Sequence, residues 1–490
     1  MHDLDGLRAA LDGDLLIPAA PGYGAARRPA LARFWDVCPQ AVVRCASARD
    51  VARTIGYARD TGTHMVPRGG GHCFAGRSST EGVVLDLSRL DAITVGSDGR
   101  ARIGAGARLA QVYDVLHEHG RTIPAGCGPT VGIAGLTLGG GLGLLGRRHG
   151  LTCDALAGAR VVLADGRAVG CDTDRDPELF WALRGAGGGQ FGVVTSLTFA
   201  TVPEPRATRF ELCWPETEAD TVITAWQHWA PDAPDEITAN LTVAAQPGRP
   251  LHVAVFGACI RAGAAPSLLD ELVAASGTRA EIRLRHGLAI RDLKGSFAGD
   301  APDTGAQLTV SRSEFFAHPL PAAAITALLD QLTAGPIGRR ELNFTAMGGA
   351  YNRTSTDATA FAHRGERFLL EHIARDDPQW ADRSWAIAHP HGSGRVYPNF
   401  PDPQLDSWAA AYHGDNLPRL AAAKQAYDPG RLFRFPQAIW PEPARETSVP
   451  ARAVRGDRMR RPPRRALLRD EPATPDPSIP VIRGGALWAR

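Results

Sequence analysis

The chain has 490 residues, 44% of them hydrophobic and 22% charged, with a formal net charge of +2. That length exceeds one compact core and predicts two or three domains, while the near-neutral balance argues against a nucleic-acid or membrane partner. No apolar run reaches the length of a membrane span, the N-terminus lacks the basic and apolar parts of a signal peptide, and the eight cysteines form no CxxC or CxxH pattern; the expectation is a cytoplasmic globular protein without a metal site.

In chain order, residues 47–62 read as a capped helix. Ser47 with Asp50 resembles a capping box, Val51, Ile55 and Ala58 share one face, and Gly62 ends it. Next comes Arg68-Gly69-Gly70-Gly71-His72. Three glycines remove every Cβ from the loop, so the backbone can approach a bulky anionic group and offer it N–H donors, with a histidine at the exit. Residues 82–87 read as a buried strand, and Leu109, Val112, Tyr113 and Leu116 as a helical stripe closed by Gly120. A second permissive stretch runs from Gly126-Cys127-Gly128 through Val131, Gly132 and Gly135 to Gly139-Gly140-Gly141. Two such loops predict a pyrophosphate-bearing cofactor gripped from two sides. Residues 160–170 look like a hairpin turning at Asp165-Gly166. Longer strands follow, over 210–214, 237–245, 251–260 and 342–347, separated by helices such as 266–276 and 319–334. That alternation predicts an antiparallel sheet covered on one face and free for a ligand on the other. Asn416 is expected to cap a helix that runs to Tyr427 and stops at Asp428-Pro429-Gly430.

The predicted organisation is an N-terminal segment (1–34), a cofactor lobe (35–205), a substrate lobe (206–397), a segment returning to the first lobe (398–441), and a disordered Pro- and Arg-rich tail (442–490). Gly141-Leu142-Gly143-Leu144-Leu145-Gly146 matches GxGxxG, but its context fails. Glycines interrupt the stretch where a buried strand should precede it, and charged residues follow where an apolar helix should start. A nicotinamide-binding Rossmann reading is therefore set aside.

The RGGGH loop, the VGIAGLTLGGGLG stretch, Leu179 to Thr195, Tyr397-Pro398-Asn399-Phe400, and Tyr412-His413-Gly414-Asp415-Asn416 occur in one order. Together they resemble the berberine bridge enzyme-like FAD-linked oxidases of the vanillyl-alcohol oxidase / p-cresol methylhydroxylase superfamily, over roughly residues 15–441. The resemblance implies an α+β two-lobed flavoprotein, with an FAD lobe of two small α/β subdomains and a substrate lobe whose helix-covered antiparallel sheet roofs the flavin. It also implies an oxidase taking hydride from an alcohol- or amine-bearing carbon of a small molecule, with O2 reduced to H2O2. The alternatives are a dehydrogenase of the same fold with another acceptor, and a non-catalytic flavin-binding protein.

By the same resemblance His72 bonds covalently to the flavin 8α-carbon. Cys127 is either a second link, to flavin C6, or a small buried thiol; Gly128 stands where the family's cysteine aligns, one residue nearer the Val131-Gly132 pair. Arg68, Gly69 to Gly71, Val131, Gly132, Gly135, Gly139 to Gly141, Val193, Val194 and Asn399 are expected along the cofactor, with Gln437 as a further hydrogen-bonding candidate. Tyr397 is either the catalytic base or an ordinary cavity-lining tyrosine. Read as a strand, residues 395, 397 and 399 share a face, so Arg395 would favour the phenolate, while Tyr351 would assist from a neighbouring strand.

Overall fold

The computed structural model describes residues 4–297, 309–335, 338–375 and 377–440. The expected tail, 442–490, lies outside them. Among the described residues the first lobe holds two main sheets and a two-stranded ribbon of Arg121–Thr122 with Val202–Pro203. One has the order Asp14–Leu16, Ala41–Arg44, Val83–Asp86, Met65–Arg68, with the first pair antiparallel and the rest parallel. Its inner strands are apolar on both sides (Ala41-Val42-Val43 and Val83-Val84-Leu85 are all buried), as a parallel sheet sandwiched between other layers requires. The helix Ala48–Thr61 connects these strands, capped by Ser47, whose Oγ accepts the Asp50 N–H at 3.3 Å, and closed by Gly62 at φ 70°. The Asp50 carboxylate does not complete the expected capping box; it accepts N–H groups from Ala46 and Asp12, both at 2.8 Å. That bond helps to tie down the N-terminal stretch. Residues 14–16 are a strand of the first sheet, and Leu7 and Leu15 belong to the lobe's core, so the described part of the expected N-terminal segment, 4–34, packs into the first lobe. The second sheet is antiparallel, in the order Ile93–Val95, Arg100–Gly104, Val193–Ala200, Leu156–Val162, Ala168–Cys171. Its last pair is the expected Asp165-Gly166 hairpin.

The second lobe is one seven-stranded antiparallel sheet in the order Glu281–Leu288, Ala207–Trp214, His252–Cys259, Ile237–Ala245, Arg340–Ala346, Phe368–Arg375, Thr309–Phe316. Helices Ala219–Trp229, Ala265–Ser276, Ala322–Thr333 and Pro378–Ala388 pack with Leu241, Val243, Leu342, Phe344 and Leu370 in one apolar core. Period-2 alternation sends the intervening residues to the opposite, open face: Asn240 and Thr242, Glu341 and Asn343, Leu369 and Glu371, Ser311 and Ser313.

That face sits on the first lobe. Phe315, Leu369 and Met347 pack with Leu142, Leu151 and Tyr397, and Phe256 and Ala258 with Leu144 and Leu145. A buried guanidinium fixes the joint. Arg147 donates to the carbonyls of Ile237 (3.0 Å), Pro231 (2.9 Å), Met347 and Ala233, and burial draws its pKa down to about 10. The chain then returns to the first lobe through helix Leu417–Tyr427. Asn416 stands at the N-cap position as expected, but its side chain makes no capping bond; its Nδ2 donates to the carbonyls of Thr356 and Thr359. Instead Lys424 holds the return, donating to Asp428 at 2.6 Å and to the carbonyls of Gln190 and Phe433, with both charged side chains fully buried.

Candidate active site

The two glycine loops predicted to grip a cofactor cross each other. A Cβ on Gly70 would run into the Gly132 amide nitrogen, and one on Gly132 into that of Gly70. Gly71 is at φ +75°, where an L side chain is strained. Beside this crossing opens a cavity. Gly69 to Gly71, His72, Val131, Gly132, Gly135, Val194 and Asn399 line it, as expected. Two cations not foreseen from the sequence, Arg77 and Arg434, also reach its wall. A cradle closed to any Cβ, presenting main chain, with cationic side chains and a largely apolar remainder, fits a pyrophosphate-bridged flavin dinucleotide.

Several expected contacts fall elsewhere. Arg68 is buried beneath the loop, donating to the carbonyls of Ser78 (3.0 Å) and Ala26 (2.7 Å). Val193 is buried in its strand and Val194 takes the cavity position. Gly139 to Gly141 pack against Asn399, Phe361 and Thr152, not on the cavity. Gln437 is held by Arg77 and Tyr412 and donates to the Asp402 carbonyl. Cys127 lies apart from the cavity, in an apolar cluster with Leu144, Leu145, Phe256 and Phe297. Tyr113 Oη donates to the Gly126 carbonyl at 2.7 Å and Lys294 to that of Ala125, which pins the loop before Gly128. Burial pushes the Cys127 thiol up, and Lys294 and Arg209 only partly offset this.

Residues 395–399 form no strand, so the alternation that put Arg395 beside Tyr397 does not apply. The Arg395 guanidinium donates to the Ala410 carbonyl at 3.2 Å. Tyr397 is buried, its Oη accepting N–H bonds from Gly141 (2.9 Å), Leu142 (3.1 Å) and Asn399 (3.0 Å). Burial pushes its pKa up to about 12 despite these three donors, so the phenol stays protonated at neutral pH. Tyr351 stands on a short helix, Ala350–Arg353, not a strand, and its hydroxyl donates to the Gly143 carbonyl at 2.8 Å. The GxGxxG glycines thus serve as packing surfaces; Gly146 abuts the Tyr351 ring.

The side chain that sequence reasoning missed is Glu371. It sits on the open face of the sheet between two anchors to the first lobe. At one end are Phe315 and Leu369; at the other, Arg33 donates to the Thr309 carbonyl at 2.8 Å and also to that of Phe74, which lines the cavity. The rows between these anchors lie on the sheet face that packs on the first lobe, and none of them is among the residues lining the cavity. Ser311 Oγ donates to Glu371 at 2.5 Å, Thr242 to Asn343 Oδ1 at 2.5 Å, and Glu341 is the neighbouring carboxylate. Burial raises the Glu371 pKa to about 7; the Ser311 bond lowers it and Glu341 raises it further. On the same face Asn240 Nδ2 and Ser313 Oγ are buried without a hydrogen-bond partner among the described residues. A glutamate inside the buried strand Phe-Leu-Leu-Glu-His-Ile-Ala was the available signal.

Comparisons with known proteins agree with this geometry. Residues 39–172 match the family described as FAD binding domain, and residues 396–440 the family described as berberine and berberine like. An uncharacterised FAD-linked oxidoreductase of Bacillus subtilis, YgaK, is 32% identical over 89% of this chain and 98% of its own length. Chitooligosaccharide oxidase of Gibberella zeae is 30% identical over 82% of this chain and 88% of its own. Among solved structures, Physcomitrella patens BBE-like 1 superposes with a TM-score of 0.82 at 25% identity, covering 89% of this chain and 99% of that one. Glucooligosaccharide oxidase from Acremonium strictum, described as carrying a 6-S-cysteinyl, 8α-N1-histidyl FAD, superposes with a TM-score of 0.81 at 25% identity over the same shares.

Proposed function

For this chain, which belongs to the berberine bridge enzyme-like family of FAD-linked oxidoreductases, we propose an oxidase that acts on a hydroxyl-bearing carbon of a small polar molecule, with Glu371 as the proton acceptor and O2 as the final oxidant. The observation that carries the reading is Glu371 itself: a buried carboxyl on the sheet face that packs on the first lobe, its pKa raised by burial to about 7, where a general base works best. FAD bound in the cavity supplies the two-electron acceptor. Gly69 to Gly71 and Gly132 would present main chain to it, Arg77 and Arg434 would offset its phosphate charge, and His72 would bond to it covalently. The ionised Glu371 takes the proton from the substrate hydroxyl, and Ser311 keeps the carboxylate oriented. The unpaired Asn240 Nδ2 and Ser313 Oγ are positions at which further substrate hydroxyls would find partners. An oligosaccharide oxidase among the relatives supports a sugar as the first substrate to try.

The test is to mix the purified holoprotein anaerobically with a panel of sugars and phenolic alcohols and record the flavin absorbance. Bleaching by one of them, followed on aeration by one H2O2 per O2 consumed, is expected. Bleaching without peroxide would make the protein a dehydrogenase of the same fold. A protein that no donor bleaches, yet that chemical reduction bleaches fully, would leave only a flavin-binding role.

A further inference from the structure

The crossing of the two glycine loops has a precise partner on each side. His72 lies two residues beyond Gly70, Thr130 two residues before Gly132, and the close approach of those glycines sets the two side chains facing each other. Thr130 Oγ1 stands 3.0 Å from His72 Nε2. We propose that Thr130 is the positioning residue for flavin attachment: its hydroxyl holds the imidazole by Nε2, directs bond formation to Nδ1, and relays the proton that Nε2 must lose. The inference rests on the covalent His72 reading above.

The chemistry explains why a hydroxyl suits this place. Joining Nδ1 to the 8α-methyl carbon forms one N–C bond and breaks two bonds to hydrogen, one on the methyl and one on the imidazole. Two protons and two electrons leave in total. Dioxygen takes up the electrons with two protons to give hydrogen peroxide. Before the bond forms, Nε2 carries the ring proton and donates to Thr130 Oγ1. Afterwards Nε2 is a bare acceptor, and the same hydroxyl turns to donate to it. A hydroxyl is both donor and acceptor and follows this reversal without moving; a carbonyl can serve only the first state and an ammonium only the second. Partners that fix the tautomer and direction of an imidazole have this effect in metal sites as well.

The experiment compares wild type, Thr130→Val, Thr130→Ser and His72→Ala as full-length proteins expressed with adequate riboflavin. Total FAD per chain is measured first, then the share that stays in the pellet after acid precipitation. Wild type and Thr130→Ser should keep their flavin in the pellet. Thr130→Val should bind the same total FAD but release most of it, with the attached share about ten-fold lower, the scale on which imidazole-orienting partners act. Should Thr130→Val take up no FAD, Thr130→Ala, which removes the hydroxyl without the second methyl, gives the same comparison. Attachment at the wild-type level in a hydroxyl-free variant overturns the proposal while leaving covalent His72 intact. Wild-type flavin found wholly in the supernatant, or in the pellet for His72→Ala, overturns the covalent reading and the Thr130 role with it.

Discussion

The cavity floor and the sheet face that roofs the first lobe are made of different materials. The floor, around Gly69 to Gly71 and Gly132, is main chain packed against main chain, and its chemistry comes from amide groups that every residue has. The roof, around Glu371, Asn343, Thr242 and Ser311, is side chain, on four strands whose residues are far apart in sequence. A backbone floor holds an invariant group and tolerates no added atoms; a side-chain roof can change its partner one residue at a time. The same molecule therefore carries a rigid backbone grip and a side-chain surface open to change.

The sharpest way to break this contrast is Gly70→Ala. Its methyl would meet the Gly132 amide, so the loops must separate; the variant should purify without flavin, as its absorption spectrum would show. A yellow Gly70→Ala protein would mean that the floor yields. On the roof, Glu371→Gln preserves shape and should leave flavin content untouched while lowering kcat/KM by about 10²–10⁴-fold, the usual worth of a general base. The sign of the pH dependence follows from the raised pKa: the base is protonated and idle below about 7, so wild-type kcat/KM should climb ten-fold per pH unit up to that value and then level. The glutamine variant should lose that limb. The joint between the halves is tested by Arg147→Met, which leaves buried carbonyls of Pro231 and Ile237 without their donor and should cost about 3 kcal/mol. Its denaturant midpoint should fall with a smaller change in flavin content than Gly70→Ala shows. The smallest effect belongs to Cys127→Ala: with the thiol outside the cavity, the acid-precipitable flavin should equal that of wild type.

What could be read from the chain follows the same division. Glycine runs announce themselves, because only glycine tolerates the crossing and the φ of +75° at residue 71; the cofactor lobe, its hairpin and the helix-backed sheet were all legible from local pattern. Glu371 was not, because its meaning depends on Ser311 and Glu341, neighbours only once strands 309–316, 340–346 and 368–375 are paired. The strand reading around Tyr397 failed for a related reason. The alternation argument assumed a strand at 395–399, whereas the chain turns there, so Oη meets the amides of residues 141 and 142 rather than the guanidinium of Arg395. Arg147 reads as a surface charge in Gly-Arg-Arg-His and becomes a buried clasp only when the second lobe closes on it.

The return of the chain to its first lobe also orders events during synthesis. The cavity wall draws on residues 65–78 and again on Asn399, Phe400 and Phe433 to Phe435. A nascent chain emerges N-terminal end first, so the glycine cradle is made early but cannot be sealed until nearly all of the described sequence has left the ribosome. Whatever binds there closes a loop of more than three hundred residues, and its binding free energy adds to the stability of the first lobe together with the returning segment. Cofactor supply is thus coupled to completion of the polypeptide, and truncations near residue 430 should be poor at retaining flavin although the RGGGH loop remains intact.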